Sequence, residues 1–291
     1  PGLTKGSSEG EGVGNKFLAD IQQTNALIHV LRCFDDENLP HIEGGIDPVR
    51  DKEIVDFELQ IRDLDLVERK IERLGKLVKV GDKVAKRGVE ILSNLKAFIE
   101  DFGNVRDFDV NEQDHKDFIL DMYLLTDKPT LYVCNVDDAS AVDGNDYVNS
   151  VKEAVGNDGE VLIIAGSLEA EIAELDEEDQ KEFLSDAGLT EPGVGKFVRG
   201  AYHLLNLQSF FTAGPKEIHA WTIRKGTKAP QAAGVIHSDL ERGFIRAEVI
   251  KYNDFMELKT EQACKEKGKL HVEGKSYIIG DGDILHIRFN V

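Results

Sequence analysis

Three short stretches carry side chains able to bind and orient a ligand. They are Asn135-Val136-Asp137-Asp138, Gly166-Ser167-Leu168-Glu169 and the loop that follows Phe34. An Asn and an Asp three residues apart can read the edge of a nucleotide base. The Asn amide both donates and accepts, and the Asp carboxylate accepts two N–H bonds. The same residues serve as caps of a turn or of the next helix, and spacing alone leaves both readings open. Gly2, Gly6, Gly10, Gly12 and Gly14 would let backbone N–H groups approach a phosphate. Gly10-x-Gly12-x-Gly14 follows no strand in this chain, so a dinucleotide fingerprint is not supported. There is no GxxxxGK[ST], and the eight histidines show neither HExxH nor metal-ligand clustering. No Ser-His-Asp or Cys-His arrangement is readable.

The elements that must position these residues come from apolar patterning. The apolar run at residues 26–34 predicts a strand buried on both faces, as in a parallel sheet. Runs at 130–134 and 161–165 predict two more, and each candidate stretch follows one of the three. Ligands of an open parallel sheet bind beyond the carboxyl ends of its strands. A short helix is expected over residues 15–23. Between the first two strands, Ile54, Phe57, Ile61, Leu64, Val67, Ile71, Leu74 and Val78 recur at spacings of three and four. That spacing predicts an amphipathic helix of about seven turns. Gly81-Asp82 breaks it, and Ala85, Val89, Leu92 and Ile99 mark a second helix. The pair reads as an antiparallel hairpin with the apolar stripe as its seam; partner binding along the hairpin is the alternative. Residues 218–223, 277–279 and 284–289 predict strands, with a tight turn at 280–283. These suggest a small α+β domain: strands around one helix, closed by a hairpin.

The totals bound the class. Hydrophobic residues make up 41% and charged residues 31%, as in a folded protein. No apolar run approaches the roughly 20 residues that cross a bilayer, and no signal-peptide core opens the chain. Cys33, Cys134 and Cys264 lie too far apart for a zinc or disulfide framework. Cys33 and Cys134, at the ends of apolar strand-like runs, read as buried thiols, and a reducing, cytoplasmic setting is the natural default. The net charge of −20 argues against indiscriminate nucleic-acid binding. Residues 205–291 differ: 13 Lys/Arg against 11 Asp/Glu give +2, which leaves −22 on the rest.

Longer motifs now add up. Pro1-Gly2-Leu3-Thr4-Lys5-Gly6-Ser7 followed by Gly10-Glu11-Gly12-Val13-Gly14-Asn15 resembles the end of the DxxG motif and switch II of Obg-like GTPases. His29-Val30-Leu31-Arg32-Cys33-Phe34, His41-Ile42-Glu43-Gly44 and Asp47-Pro48-Val49-Arg50-Asp51 resemble the YchF subfamily. So do Phe210-Phe211-Thr212-Ala213-Gly214, Ala220-Trp221-Thr222-Ile223, Thr227-Lys228-Ala229-Pro230-Gln231 and Ile236-His237-Ser238-Asp239. The chain therefore resembles a YchF-type Obg-like ATPase along essentially its whole length.

That resemblance implies an α/β P-loop G domain with a parallel sheet, an inserted antiparallel helical hairpin and a C-terminal β-grasp TGS domain. The implied boundaries are 1–52 and 126–204 for the G domain, 53–125 for the insertion and 205–291 for TGS. It implies ATP hydrolysis, with GTP as a second substrate, Mg²⁺ as cofactor and ribosomes or RNA as partner. Neither DNA nor a membrane is expected. Gly2 matches the DxxG glycine. The P-loop Lys and Ser/Thr that hold phosphates and Mg²⁺ are expected upstream of Pro1, so no metal ligand is expected within this chain, and weak nucleotide binding is expected of it as given. Leu3 stands where many GTPases carry a water-orienting Gln, which makes His41 the candidate catalytic side chain. Asn135, Val136, Asp138, Ser167 and Leu168 are the nucleotide-binding candidates. Val136 replaces the Lys of NKxD, as in the family, but Asp138 stands where YchF proteins usually carry Glu. A shortened carboxylate could restore some guanine binding; ATP remains the favoured nucleotide. Lys216, Arg224, Lys225, Lys228 and Arg242 are candidate phosphate contacts of the last domain. The alternative to an ATPase is a module that binds ribosomes or RNA, with incidental hydrolysis.

Overall fold

The computed structural model describes residues 13–156, 159–214 and 217–290. It falls into two compact units, the first ending at Ala201 and the second starting at Tyr202.

In the first unit, α1 (Val13–Gln22) leads into β1 (Leu27–Arg32). Then come α2 (Pro48–Val78) and α3 (Lys83–Glu100), and α4 (Glu112–Phe118) leads to β2 (Thr130–Asn135). After it lie α5 (Asp146–Val155), β3 (Glu160–Ile164), α6 (Gly166–Glu174), α7 (Glu177–Asp186) and α8 (Gly193–Leu204). The three strands form a parallel sheet in the order β1-β2-β3. Leu31, Cys33, Tyr132, Cys134 and Val136 pack on one side against Val148, Val151 and Val155 of α5, Leu168 and Ile172 of α6 and Leu184 of α7. Gly200 of α8 lies against Leu131 and Leu162; a Cβ there would sit 3.2 Å from Leu162.

The sequence pattern predicted a β1 buried on both faces. Instead Ile28 is 39% and Val30 66% exposed. β1 is a border strand among the described residues. Leu27 packs with α1 and the base of α2 through Leu18, Val55 and Leu59, while Ile28 and Val30 point away.

The helical hairpin is present, but its apolar seam covers only the outer half. Val67, Leu92, Leu95 and Ile99 are buried together there with Leu64, Ile71 and Leu74. Gly88 permits the close approach: a Cβ would meet Leu74 and Phe118 at 2.9 Å. Nearer the sheet, the expected seam residue Phe57 is 43% exposed, and the polar Asp56, Glu58, Gln60 and Asp63 are buried along with Leu59. The reason is local. This half of α2 packs on the irregular segment 102–128, whose buried backbone groups need partners. The Asp63 carboxylate accepts from Leu125 N, Thr126 N and the Thr126 hydroxyl, each at 2.7 Å. Gln60 donates to Phe102 O at 2.9 Å. Lys70 donates to Phe118 O at 2.7 Å and pairs with Asp121. Lys128 in turn caps the end of α1 through Gln22 O and Thr24 O.

The second unit contains β4 (Leu207–Ala213), β5 (Ile218–Arg224), α9 (Ala229–Ile236), α10 (Ser238–Arg242) and β6 (Phe244–Ile250). It continues with α11 (Tyr252–Leu258), α12 (Glu261–Glu266), β7 (Leu270–Glu273) and β8 (Ile284–Phe289). The mixed sheet runs β5-β4-β8-β6-β7, with β4 and β8 parallel. Ala229, Ala232 and Ala233 bring α9 close to Phe210, Ile223, Phe244, Val249 and Leu285. Two expectations are corrected here. Four short helices accompany the strands, not one: α11 and α12 bury Phe255, Leu258 and Cys264 beside Ile250 and Ile284. Residues 277–279 form no strand and no closing hairpin, only a bridge between Lys228 and Ile278. Asp283, fully buried, holds that segment by accepting from Gly280 N, the Tyr277 hydroxyl and Lys251 Nζ.

Candidate nucleotide-binding site

The carboxyl ends of β1, β2 and β3 share one edge of the parallel sheet, and long-range hydrogen bonds tie their loops together. Asn135, the last residue of β2, accepts from Gly166 N at 2.9 Å through its side-chain oxygen. Gly166 opens α6 without a side-chain cap from its own N-cap residue, Ala165; Asn135 therefore supplies the missing acceptor. A Cβ at residue 166 would lie 3.0 Å from Asn135 Oδ1, so the contact needs glycine. Three residues beyond Asn135, Asp138 Oδ1 accepts from the Ser167 hydroxyl at 2.6 Å. Asn135, Asp138, Gly166 and Ser167 are thus one cluster. Its free capacity is specific: the Asn135 amide N–H groups, Asp138 Oδ2 and the remaining lone pair of Oδ1.

Val136 and Leu168 belong to the same stretches but not to that polar surface. They are 2% and 8% exposed and pack in the sheet core, so only their backbones can face a ligand. Capping is thus one role of Asn135, at the start of α6, and it is the role of Asp137, whose carboxylate accepts from Ser140 N at 2.9 Å.

The loop after β1 is built by Arg32. Its guanidinium donates to Phe34 O, Asp36 O and Leu39 O and lies 4.8 Å over the Phe34 ring. Asn145 donates to Cys33 O, and the Tyr147 hydroxyl to Asp35, which fixes this loop to the start of α5. Cys33 and Cys134 lie buried beneath; their mutual hydrogen bond and burial push the Cys33 thiol up, which favours its protonated form.

His41 sits farther along the same loop. Its Nε2 is 3.0 Å from Asp51 in the first turn of α2, and its Nδ1 accepts from Glu43 N at 3.2 Å. Arg50 holds the other Asp51 oxygen at 2.9 Å. Both imidazole nitrogens are therefore engaged. His41 lines a cavity of about 370 Å³ with His29, Arg32, Asp51 and Ile54. His29 was not singled out from the sequence. Both its ring nitrogens are buried without a partner, and burial holds its pKa below the usual value, so the ring is neutral. Only its place inside an apolar strand could have drawn notice.

Gly2 and Lys216 lie outside the described residues. Arg224, Lys225 and Lys228 are brought together on the turn from β5 to α9, all exposed. Arg242 lies apart on α10 and pairs with Asp239 at 2.5 Å. Among the described residues no group of three or more His, Cys, Asp or Glu could hold a metal, and no helix is long and apolar enough to cross a membrane.

Comparison with known proteins agrees with this geometry. Residues 207–290 match the family model YchF-GTPase_C, described as a protein of unknown function (DUF933). The chain is 47% identical over 291 residues to "Ribosome-binding ATPase YchF" of Haemophilus ducreyi, covering all of this chain and 80% of that protein. The chain belongs to the YchF/Obg-like ATPase family. The Bacillus subtilis protein of the same name is 44% identical, again over 80% of its length. "Obg-like ATPase 1" of Pongo abelii is 40% identical over 99% of this chain and 74% of its own length. The solved structure titled "Structure of the Schizosaccharomyces pombe YchF GTPase" superposes with a TM-score of 0.85 at 33% identity. It covers 99% of this chain and 77% of that one. The YchF fold thus accounts for the parallel sheet, the long hairpin and the C-terminal mixed sheet.

Proposed function

We propose that this chain is the body of a ribosome-binding ATPase, and that Asn135, Asp138 and Ser167 select its nucleotide. The observation that carries the reading is the Asn135–Gly166 and Asp138–Ser167 pair of hydrogen bonds, which joins two strand-end loops into one base-sized polar surface. The Asn135 N–H groups suit a purine ring nitrogen. Asp138 accepts from exocyclic or ring N–H groups of the base. Because Ser167 already donates to Oδ1, Asp138 presents one fully open oxygen. A single open acceptor suits the one amino group of adenine better than the two adjacent donors of guanine. Val136 and Leu168 support the pocket through backbone and packing, and Gly2 remains the candidate phosphate contact. Family membership implies Mg²⁺ delivered with the nucleotide. The fourfold division at residues 52/53, 125/126 and 204/205 is part of this reading.

His41 is the side chain we assign to the attacking water. In the present arrangement Nδ1 must release Glu43 N–H before it can accept from water, while Asp51 holds the tautomer with Nε2 protonated. Its engagement also favours the second reading, a nucleotide-gated ribosome- or RNA-binding module with incidental hydrolysis. Turnover measured with and without ribosomes separates the two. In the ATPase, His41→Ala lowers turnover at least tenfold and leaves ATP affinity within about threefold; unchanged turnover removes His41 from the mechanism. A competition titration of ATP against GTP tests the base assignment. GTP preference would overturn it. Arg224, Lys225 and Lys228, with Lys216 and Arg242, are the proposed RNA contacts of the second unit, in the cytoplasm.

A further inference from the structure

The tip of the α2–α3 hairpin has a charge opposite to the rest of the chain. Residues 73–87 hold Arg73, Lys76, Lys79, Lys83, Lys86 and Arg87 against Asp82 alone, a net +5; the remainder carries −25. Arg87 pairs with Asp114. Arg73, Lys76, Lys79, Lys83 and Lys86 are exposed, and none has an ion-pair partner among the described residues. Elsewhere on the same helices cations are matched: Lys52 with Asp56, Arg69 with Asp65, Lys96 with Glu68. Asp82, already counted in that net charge, caps Val84 N and Ala85 N at 2.9 and 3.0 Å and, among the described residues, forms no ion pair with these lysines.

Helix stability does not explain this pattern. Lys76 and Lys79 complement the negative end of α2. Lys83 and Lys86 sit in the opening turn of α3, where the helix dipole is positive and a cation is unfavourable by about 0.3–1 kcal/mol. No acid occupies that turn. Solubility does not explain it either, because the chain is already far from neutral. Between the lysines, Val80 and Val84 are 81% and 67% exposed, an apolar centre inside a cationic ring.

We propose that this tip is an RNA-contact surface whose lysines bind the phosphate backbone. The proposal rests on the reading of the ribosome as partner. Charge density selects the ligand. Arg73 to Lys79 span about 9 Å of helix axis, and the two helices together present five free cations there. A nucleic-acid duplex offers one negative charge per about 1.7 Å of axis, a density that side-chain carboxylates do not reach. Lysine, a compact charge on a long stem, suits phosphates without demanding one geometry. The acidic remainder of unit one repels the same polymer and so confines contact to the tip.

The test compares the chain with its Lys79→Gln/Lys83→Gln/Lys86→Gln variant. Binding of a fluorescent 20-base-pair RNA duplex is followed by anisotropy across salt concentrations, and co-sedimentation with purified ribosomes is measured in parallel. The three side chains are exposed and unpaired, so thermal unfolding should match in the two proteins and certify the fold. The expected result is an RNA affinity lowered at least tenfold and a log K against log salt slope reduced by about 2–3. Equal affinity and slope overturn the inference, and if the parent still sediments with ribosomes, the ribosome reading survives. If the parent binds RNA through the tip yet ignores ribosomes, the inference stands and the ribosome reading falls. A variant that loses only binding to phosphatidylserine vesicles, with RNA binding intact, also overturns it and identifies a lipid surface.

Discussion

Replacing Asp63 with alanine removes the acceptor on which the base of the hairpin depends. The carboxylate is fully buried and receives three bonds of 2.7 Å from Leu125 N, Thr126 N and the Thr126 hydroxyl. The hydroxyl retains another partner, because it accepts from Val105 N at 3.1 Å. Two buried backbone N–H groups are then left unsatisfied, at about 1–3 kcal/mol each. Asp63→Ala should therefore lower the stability of the first unit by about 2–6 kcal/mol at pH 7. The loss depends on pH with a definite sign. Burial pushes the Asp63 pKa up from 3.8 to about 6, against the lowering effect of its three hydrogen bonds. A folded-state pKa above the unfolded one means that folding takes up a proton. The associated stabilisation is complete below about pH 3.8 and disappears as pH rises through about 6. Between pH 7 and pH 5 the parent should gain about 1 kcal/mol that the variant lacks, so the gap between them widens on acidification. Urea unfolding of both proteins at the two pH values, followed by circular dichroism, measures it. A gap that stays the same at the two pH values would refute the reasoning, because it would mean that hydrogen bonding outweighs burial and keeps Asp63 ionised. A gap under about 1 kcal/mol at pH 7 would show that the segment 102–128 holds its place by other contacts.

Two further outcomes follow from the same structure. Ser167→Ala frees Asp138 Oδ1 for a second N–H of the base and should move the ATP-to-GTP affinity ratio toward GTP by about tenfold; a competition titration that shows no shift would exclude Asp138 from base selection. Asp283→Ala strips Lys251 Nζ, the Tyr277 hydroxyl and Gly280 N of their common acceptor, and should destabilise the second unit by about 3 kcal/mol or more without altering unfolding of the first, as two calorimetric transitions would resolve.

The parallel strands were legible because strands of such a sheet read as continuous apolar runs, and the candidate loops are the segments that leave their ends. The outer hairpin was legible because Val67, Leu92 and Ile99 keep helical spacing. The inner half of α2 was not. Gln60 and Asp63 look like a solvated face, and backbone groups some 40 to 60 residues away make them interior. The segment 277–279 misled for the opposite reason: its β-branched residues suit a strand, but the Asp283 contacts organise it first. At the candidate site, Asn135 and Asp138 stood out from type and spacing alone. That Asn135 engages Gly166 and Asp138 engages Ser167 depends on how β2 and β3 pair, which no local pattern encodes. Likewise His41 was visible as a histidine after a strand, whereas its clasp by Asp51 and Glu43 required the fold of the loop.

The 31 residues of α2 run without a break from the turn that carries Asp51 to the hairpin tip. At 1.5 Å per residue this is a rod of about 46 Å. Its inner end is fastened beside His41 and its outer end stands in solvent, so the helix acts as a lever arm. A tilt of about 5° at the Asp51 end would sweep the tip through about 4 Å, nearly one helical turn. Motion too small to see at the loop would thus be large where the lysines lie, and a pair of probes at Lys79 and on the sheet would read the state of the loop from its far end.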